Sequence, residues 1–281
     1  MDLTGYLLIA VAAVGAGAIN AAAGGGTLIT FPAMLAAGMS PLAANMTSSI
    51  GLLFGTLGGA WSYRAELRRQ RRRFLVNAPF AAVGGVIGAV LLLVTPSDAF
   101  TEIVPWLVLL AAALFAIQPA LTKRLGRAAD GGLPPRAAPA APSADAHAAP
   151  AEERAPQAPA TRDDTGGWPA KLAFVLIGAY GCYFGAGIGV MMLALLGLVI
   201  HDTLQHHNAL KNIMAAVING TGAVILAFSP LIHWGVVATM LGASLLGGLL
   251  GGWLSRRVPT WLLRVVVIAF ALAVAVAMLL T

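Results

Sequence analysis

Charge is scarce in this chain. Only 10% of its 281 residues are Asp, Glu, Lys or Arg, while 59% are hydrophobic. A soluble domain carries about 25% charged residues, so the composition is that of a membrane protein. Cysteine is nearly missing too. Cys182 stands alone, which excludes an intrachain disulfide and a multi-cysteine metal site. It sits in Gly181-Cys182-Tyr183-Phe184-Gly185, an apolar setting where a thiol serves as a small packing residue. There is no H-E-x-x-H, no G-x-S-x-G and no G-x-x-x-x-G-K-[ST], and no pair of carboxylates falls inside an apolar run. These absences argue against an enzyme, a resident cofactor or metal, and direct drive by ATP.

What the chain has instead is long apolar runs. Residues 74–94, 104–121, 236–254 and 261–280 approach the roughly 20 residues that span about 30 Å of hydrocarbon. The N-terminal run leads straight into a glycine motif with no basic stretch before it, unlike a cleavable signal. The formal net charge of +6 sits in short clusters beside these runs. Clusters so placed set membrane orientation, with Lys and Arg on the cytoplasmic side, and do not point to nucleic acid.

The chain also repeats itself. Ala23-Gly24-Gly25-Gly26-Thr27-Leu28 in the first half is answered by Phe184-Gly185-Ala186-Gly187-Ile188-Gly189 in the second. Gly17 pairs with Gly178, Gly24 with Gly185 and Gly26 with Gly187 at one constant offset. Asn45 and Gly55 are then matched in order by Asn212 and Gly222, and the run Gly84-Gly85-Val86-Ile87-Gly88 by Gly247-Gly248-Leu249-Leu250-Gly251. Residues 1–121 and 169–281 thus read as two transmembrane repeats. Between them, residues 122–168 are rich in Ala and Pro, too poor in large apolar side chains to offset ordering, and read as a disordered linker.

Each half follows one plan: a long helix ending in glycines, a short apolar segment (27–37 and 190–200), then three longer spans. The expectation is an all-α polytopic membrane protein with two inverted repeats, eight long transmembrane helices plus two short broken helices. Inversion follows from the basic clusters. Arg64, Arg68, Arg69, Arg71, Arg72 and Arg73 follow the third segment of half one, whereas half two places Arg256 and Arg257 one loop later. Lys123, Arg124 and Arg127 close the first half. All three regions share one side only if the short segments count as crossings and the halves are oppositely oriented.

Glycine breaks at matching places in two apolar halves point to a transporter's binding site. Broken backbone inside a membrane is tolerated where it is buried in protein or lines a cavity. Gly24, Gly25, Gly26 and Thr27, with Gly185, Gly187 and Gly189, would present free N–H groups at the starts of two short helices, a setting that suits an anion. Glycines also serve close helix packing, but their duplication favours a site. Asn20 lies one turn before the first break. Asn45, Thr47, Ser48 and Ser49 open the next span, and Lys211, Asn212 and Asn219 occupy the equivalent stretch. Lys211 is the sharpest of these, as a cation within an apolar helix. His201, Asp202, His206 and His207 form a polar group that reads first as a solvated loop and second as a metal or proton site.

These motifs resemble the sulfite exporter TauE/SafE family of membrane permeases. The likeness rests on Ile19-Asn20-Ala21-Ala22-Ala23-Gly24-Gly25-Gly26 with Thr30-Phe31-Pro32, and on Ala43-Ala44-Asn45-Met46-Thr47. In the second half it rests on residues 178–189 and on Asn208-Ala209-Leu210-Lys211-Asn212. Cys182 stands where the family pattern usually has another glycine. The resemblance implies a secondary transporter of the bacterial inner membrane that moves sulfite, sulfonates such as sulfoacetate, or other small sulfur-containing anions, mainly outward. The expected partners are that anion and the lipid bilayer, and glycine-rich lipid-facing surfaces would allow a homodimer. An anion sensor and a metal-ion permease are the rival readings.

Overall fold

The computed structural model describes residues 1–22, 24–129, 165–200, 202–254 and 260–280. Among them are twelve helices: α1 (Leu3–Ala22), α2 (Thr27–Ala36), α3 (Pro41–Gly51), α4 (Leu53–Ser62), α5 (Arg64–Arg68), α6 (Arg71–Val94), α7 (Ser97–Ala129), α8 (Gly167–Tyr183), α9 (Ile188–Val199), α10 (Leu204–Leu226), α11 (Trp234–Leu254) and α12 (Thr260–Leu280). Among the described residues five stretches are long and apolar enough to cross a membrane: Leu3–Ala21, Arg71–Val94, Ser97–Ala120, Leu204–Leu226 and Trp234–Gly251. The third span of the first half is in two pieces, with α3 ending at Gly51 and α4 beginning at Leu53. Of the expected linker, 122–129 belong to α7 and Gly167 already opens α8, while 130–164 lie outside the described residues.

Local chemistry explains the ends of these elements. Gly24, with φ +83°, stops α1 in a left-handed turn that a side chain resists, and Gly185, with φ +80°, does the same after α8. Pro41 begins α3 where its missing N–H is harmless. Thr203 caps α10 by accepting from the His206 N–H at 3.4 Å.

Packing then interleaves the two halves. The pairings α1 with α11, α4 with α11 and α7 with α9 have the counterparts α8 with α6, α10 with α6 and α12 with α2. Small residues let these helices approach closely. Along α1 and α11, Tyr6 lies at Gly235, Val14 at Gly247 and Ala18 at Gly251, so the two run parallel. Gly51, Gly55 and Gly59 meet Met240, Ser244 and Gly248, so α3 and α4 run parallel to α11 as well. On the other side Gly84 meets Gly178 and Gly88 meets Cys182, which makes α6 and α8 parallel. Cys182 also packs against Gly222.

Between the halves the direction reverses. Leu53 faces Gly220 while Gly59 faces Asn212, so α4 and its counterpart α10 are antiparallel. Equivalent helices therefore point opposite ways, and the repeats are inverted. Because α1 and α4 are parallel, α2 must carry the chain back between them, as the basic clusters required. The parallel course of α4 and α11 also brings the Arg64–Arg73 region and the end of α11 to one side, where the Ser62 hydroxyl donates to the Leu249 carbonyl.

Candidate functional site

The two glycine breaks meet at the centre of this arrangement. The Gly189 N–H donates to the Gly24 carbonyl at 3.4 Å, and a Cβ on Gly24 would overlap the Gly189 backbone. Both breaks are braced by aromatic side chains. The ring of Phe115, from α7, fills the space where a Gly25 side chain would stand. Phe31 of α2 meets Phe184 edge-on, with ring centroids 5.7 Å apart. Within the second break the Tyr180 hydroxyl donates to the Ala186 carbonyl at 2.7 Å.

Asparagines from each half hold the other half's helix end. Asn45 Nδ2, on α3, donates to the Tyr183 carbonyl at the end of α8 at 2.7 Å. Its counterpart Asn212 Nδ2, on α10, donates to the Ala21 carbonyl at the end of α1 at 3.2 Å. These carbonyls belong to last turns, which lack helical partners. Lys211 adds a feature that the first half does not copy. The residue is 1% exposed, and its ammonium donates to the carbonyls of Asn20 at 3.2 Å and Ala21 at 3.4 Å. A cation at a helix C-terminus opposes the negative end of its dipole.

A small cavity of about 20 Å³ lies between the breaks, room for about one water-sized sphere. Seven of the residues expected from sequence line it: Asn20, Gly24, Thr27, Gly185, Gly189, Lys211 and Asn212. The other five do not. Gly25 and Gly26 are turned into the packing against Phe115 and Ala16, and Gly187 toward Ala111 and Leu114. Asn45 holds α8 instead, and the Thr47 hydroxyl, wholly buried, accepts from the His233 N–H at 3.4 Å. Two of the backbone donors expected to face a ligand are used internally: the Gly26 N–H by Asn20 Oδ1 at 2.8 Å, and the Gly189 N–H by Gly24.

Ser49 of α3 and Asn219 of α10, also named from the sequence, line the cavity too, and the structure adds Thr56 of α4. A signal for them exists in the sequence. Lys211, Ala215 and Asn219 are spaced four apart, and Ser49, Leu52 and Thr56 by three and four, each set forming one helical face. Among the described residues that line the cavity, Lys211 is the one that carries charge.

The histidine group does a different job. Asp202 pairs with Arg73 of α6 and with His206 Nδ1 at 2.6 Å. Gln70 Nε2 donates to the His206 carbonyl at 2.8 Å, which ties the start of α10 to the start of α6. Burial alone would raise the Asp202 pKa. The hydrogen bonds from Arg73, the Thr203 N–H and His206 outweigh it and hold the carboxyl below its usual value. His207 turns elsewhere, with Nε2 3.0 Å from the Ile200 carbonyl. His201 lies outside the described residues, and no group of three or more His, Cys, Asp or Glu gathers among the described ones.

Comparison with known proteins adds a lineage to this geometry. A probable membrane transporter protein, ORF9 of Sinorhizobium sp, is 38% identical over 120 residues, covering 42% of this chain and 46% of that relative. The probable membrane transporter protein YfcA of Escherichia coli K12 is 32% identical over 106 residues, covering 38% and 39% respectively. The chain thus spans less than half the length of the curated relatives it matches. No solved structure matches it. Residues 9–278 match the family described as sulfite exporter TauE/SafE, and with that match over nearly its whole length the chain belongs to this family of membrane proteins.

Proposed function

We propose that the chain is a secondary transporter that exports a small sulfur-containing anion, sulfite or an organosulfonate such as sulfoacetate, across the bacterial inner membrane by alternating access. The observation that carries this reading is the meeting of two glycine breaks, one from each inverted repeat, around a cavity with a single cation, Lys211. A site shared by two oppositely oriented bundles can open to either side as one rocks against the other. In its present closed form the cavity of about 20 Å³ is too small for a sulfonate. Binding therefore requires the repeats to separate and the Lys211 ammonium to leave the α1 carbonyls for the anion. Asn20, Asn212, Ser49, Thr56 and Asn219 supply directed hydrogen bonds without further buried charge. The family's description supports export of a sulfur oxyanion, and the names of the relatives support membrane transport.

Flux from proteoliposomes tests the proposal. Sulfite, sulfoacetate, taurine and sulfate are loaded separately, with and without a pH gradient. Selective efflux of sulfite or sulfoacetate is expected, and its response to the gradient identifies proton coupling. Equal, background-level movement of all four from folded protein would overturn it in favour of a sensor.

A further inference from the structure

Away from the central cavity, a larger cleft of about 880 Å³ opens between α4, α5 and the start of α6. It falls within the range of about 300–1,000 Å³ typical of ligand clefts. One end is basic, formed by Arg64, Arg68 and Arg71. The wall below them is apolar, made by Leu57, Trp61 and Phe74, and Ile213 of α10 contributes as well. No Asp or Glu is among the described residues that line it. Trp61 is 64% exposed and carries the Arg64 guanidinium over its ring, 5.6 Å from the centroid. This chemistry changes along the cleft just where apolar α4 gives way to arginine-rich α5, the level at which tryptophan and arginine sit at a membrane surface.

We propose that this cleft seats an anionic phospholipid, with its phosphate among Arg64, Arg68 and Arg71 and an acyl chain along Leu57, Trp61, Phe74 and Ile213. Charge and shape both select an amphiphile. A free anion would be served by the arginines and would gain nothing from the apolar wall. A zwitterionic lipid would fit the wall and gain less from three guanidiniums. Basic pockets between transmembrane helices bind anionic headgroups for this reason. The seat is separate from the transport cavity and does not depend on which anion is moved, although Ile213 is the chain neighbour of Asn212 and so links the lipid to the helix that lines that cavity.

Native mass spectrometry of the full-length protein tests this, in an equal mixture of phosphatidylglycerol and phosphatidylcholine. The parent should retain one phosphatidylglycerol in preference. Each of Arg64→Gln, Arg68→Gln and Arg71→Gln should lower that preference about fivefold. Leu57→Trp narrows the cleft while keeping every arginine, and should lower retention of both lipids. Glycerol phosphate, which offers the headgroup without the chain, should not displace the bound lipid. Equal retention of the two lipids by the parent, unchanged preference in all three arginine variants, or displacement by glycerol phosphate would each overturn the proposal.

Discussion

Replacing Lys211 with Met separates the charge of the cavity from its packing, since Met is long, flexible and neutral. In the closed structure the ammonium reaches the Asn20 and Ala21 carbonyls at 3.2 and 3.4 Å. Both bonds are long, so each falls short of the roughly 1.5–3 kcal/mol of a well-formed bond to a charged group. Losing them leaves carbonyls at the end of α1 less well satisfied, but it also removes a charge held away from water. The two effects oppose each other, and Lys211→Met should unfold within about 2 kcal/mol of the parent. Anion binding takes the ammonium off these two carbonyls, so the gain is one charge-assisted bond to sulfonate less two long, weak ones. At the low end of about 1.5–3 kcal/mol for such a bond, affinity should fall about 10-fold. Isothermal titration with sulfoacetate in detergent reads the affinity, and thermal unfolding of the same sample reads the fold. An affinity within about threefold of the parent, from a folded variant, would refute the role given to Lys211.

Other substitutions follow from the same geometry. Gly24→Ala should destabilise more than Gly185→Ala in thermal unfolding. Both enforce a left-handed residue at about 1–2 kcal/mol, but only at Gly24 would the new Cβ strike backbone of the opposite break. Asn45→Ala leaves the Tyr183 carbonyl without its side-chain partner and should cost about 1–3 kcal/mol in denaturant unfolding, whereas after Asn212→Ala the Ala21 carbonyl keeps the Lys211 ammonium. Asn45, with the shorter bond, should cost more, yet only Asn212→Ala should also weaken sulfoacetate binding. Asp202 has a lowered pKa, so its contribution to stability is present above the unfolded value of about 3.9 and is lost as pH falls through the folded one. Asp202→Asn should therefore lower the unfolding temperature at pH 7, and the difference from the parent should shrink as pH falls below the unfolded value of about 3.9 and on through the folded one.

The fold was legible because membrane helices leave few choices. Glycine runs at matched places, together with basic clusters in non-matching loops, implied inverted repeats, and the antiparallel α4 and α10 have that geometry. Gly24 and Gly185 could be read as breaks because few other residues accept their φ. What stayed hidden depends on rotation about helix axes and on contacts between halves. Asn45 and Asn212 match in sequence and in role, yet only Asn212 also borders the cavity. Thr47 sits on the same helix as Ser49 but turns to His233. Lys211 could be picked out as an intramembrane cation, but its hold on α1 joins residues 191 positions apart, and no local pattern records that. The division of α3 from α4 at Leu52 likewise carries no Pro, which would have marked it.

The proposed anion site lies between the two breaks. In a Cys182→Ala background, which removes the chain's one thiol, Ser49→Cys places a reactive group at the cavity and Trp61→Cys a control in the exposed cleft. The rate of labelling by a small methanethiosulfonate is then measured with and without sulfoacetate in reconstituted protein. Sulfoacetate should slow labelling at position 49 and leave position 61 unaffected. Unchanged labelling at 49 under conditions where the same protein moves sulfoacetate would contradict this placement.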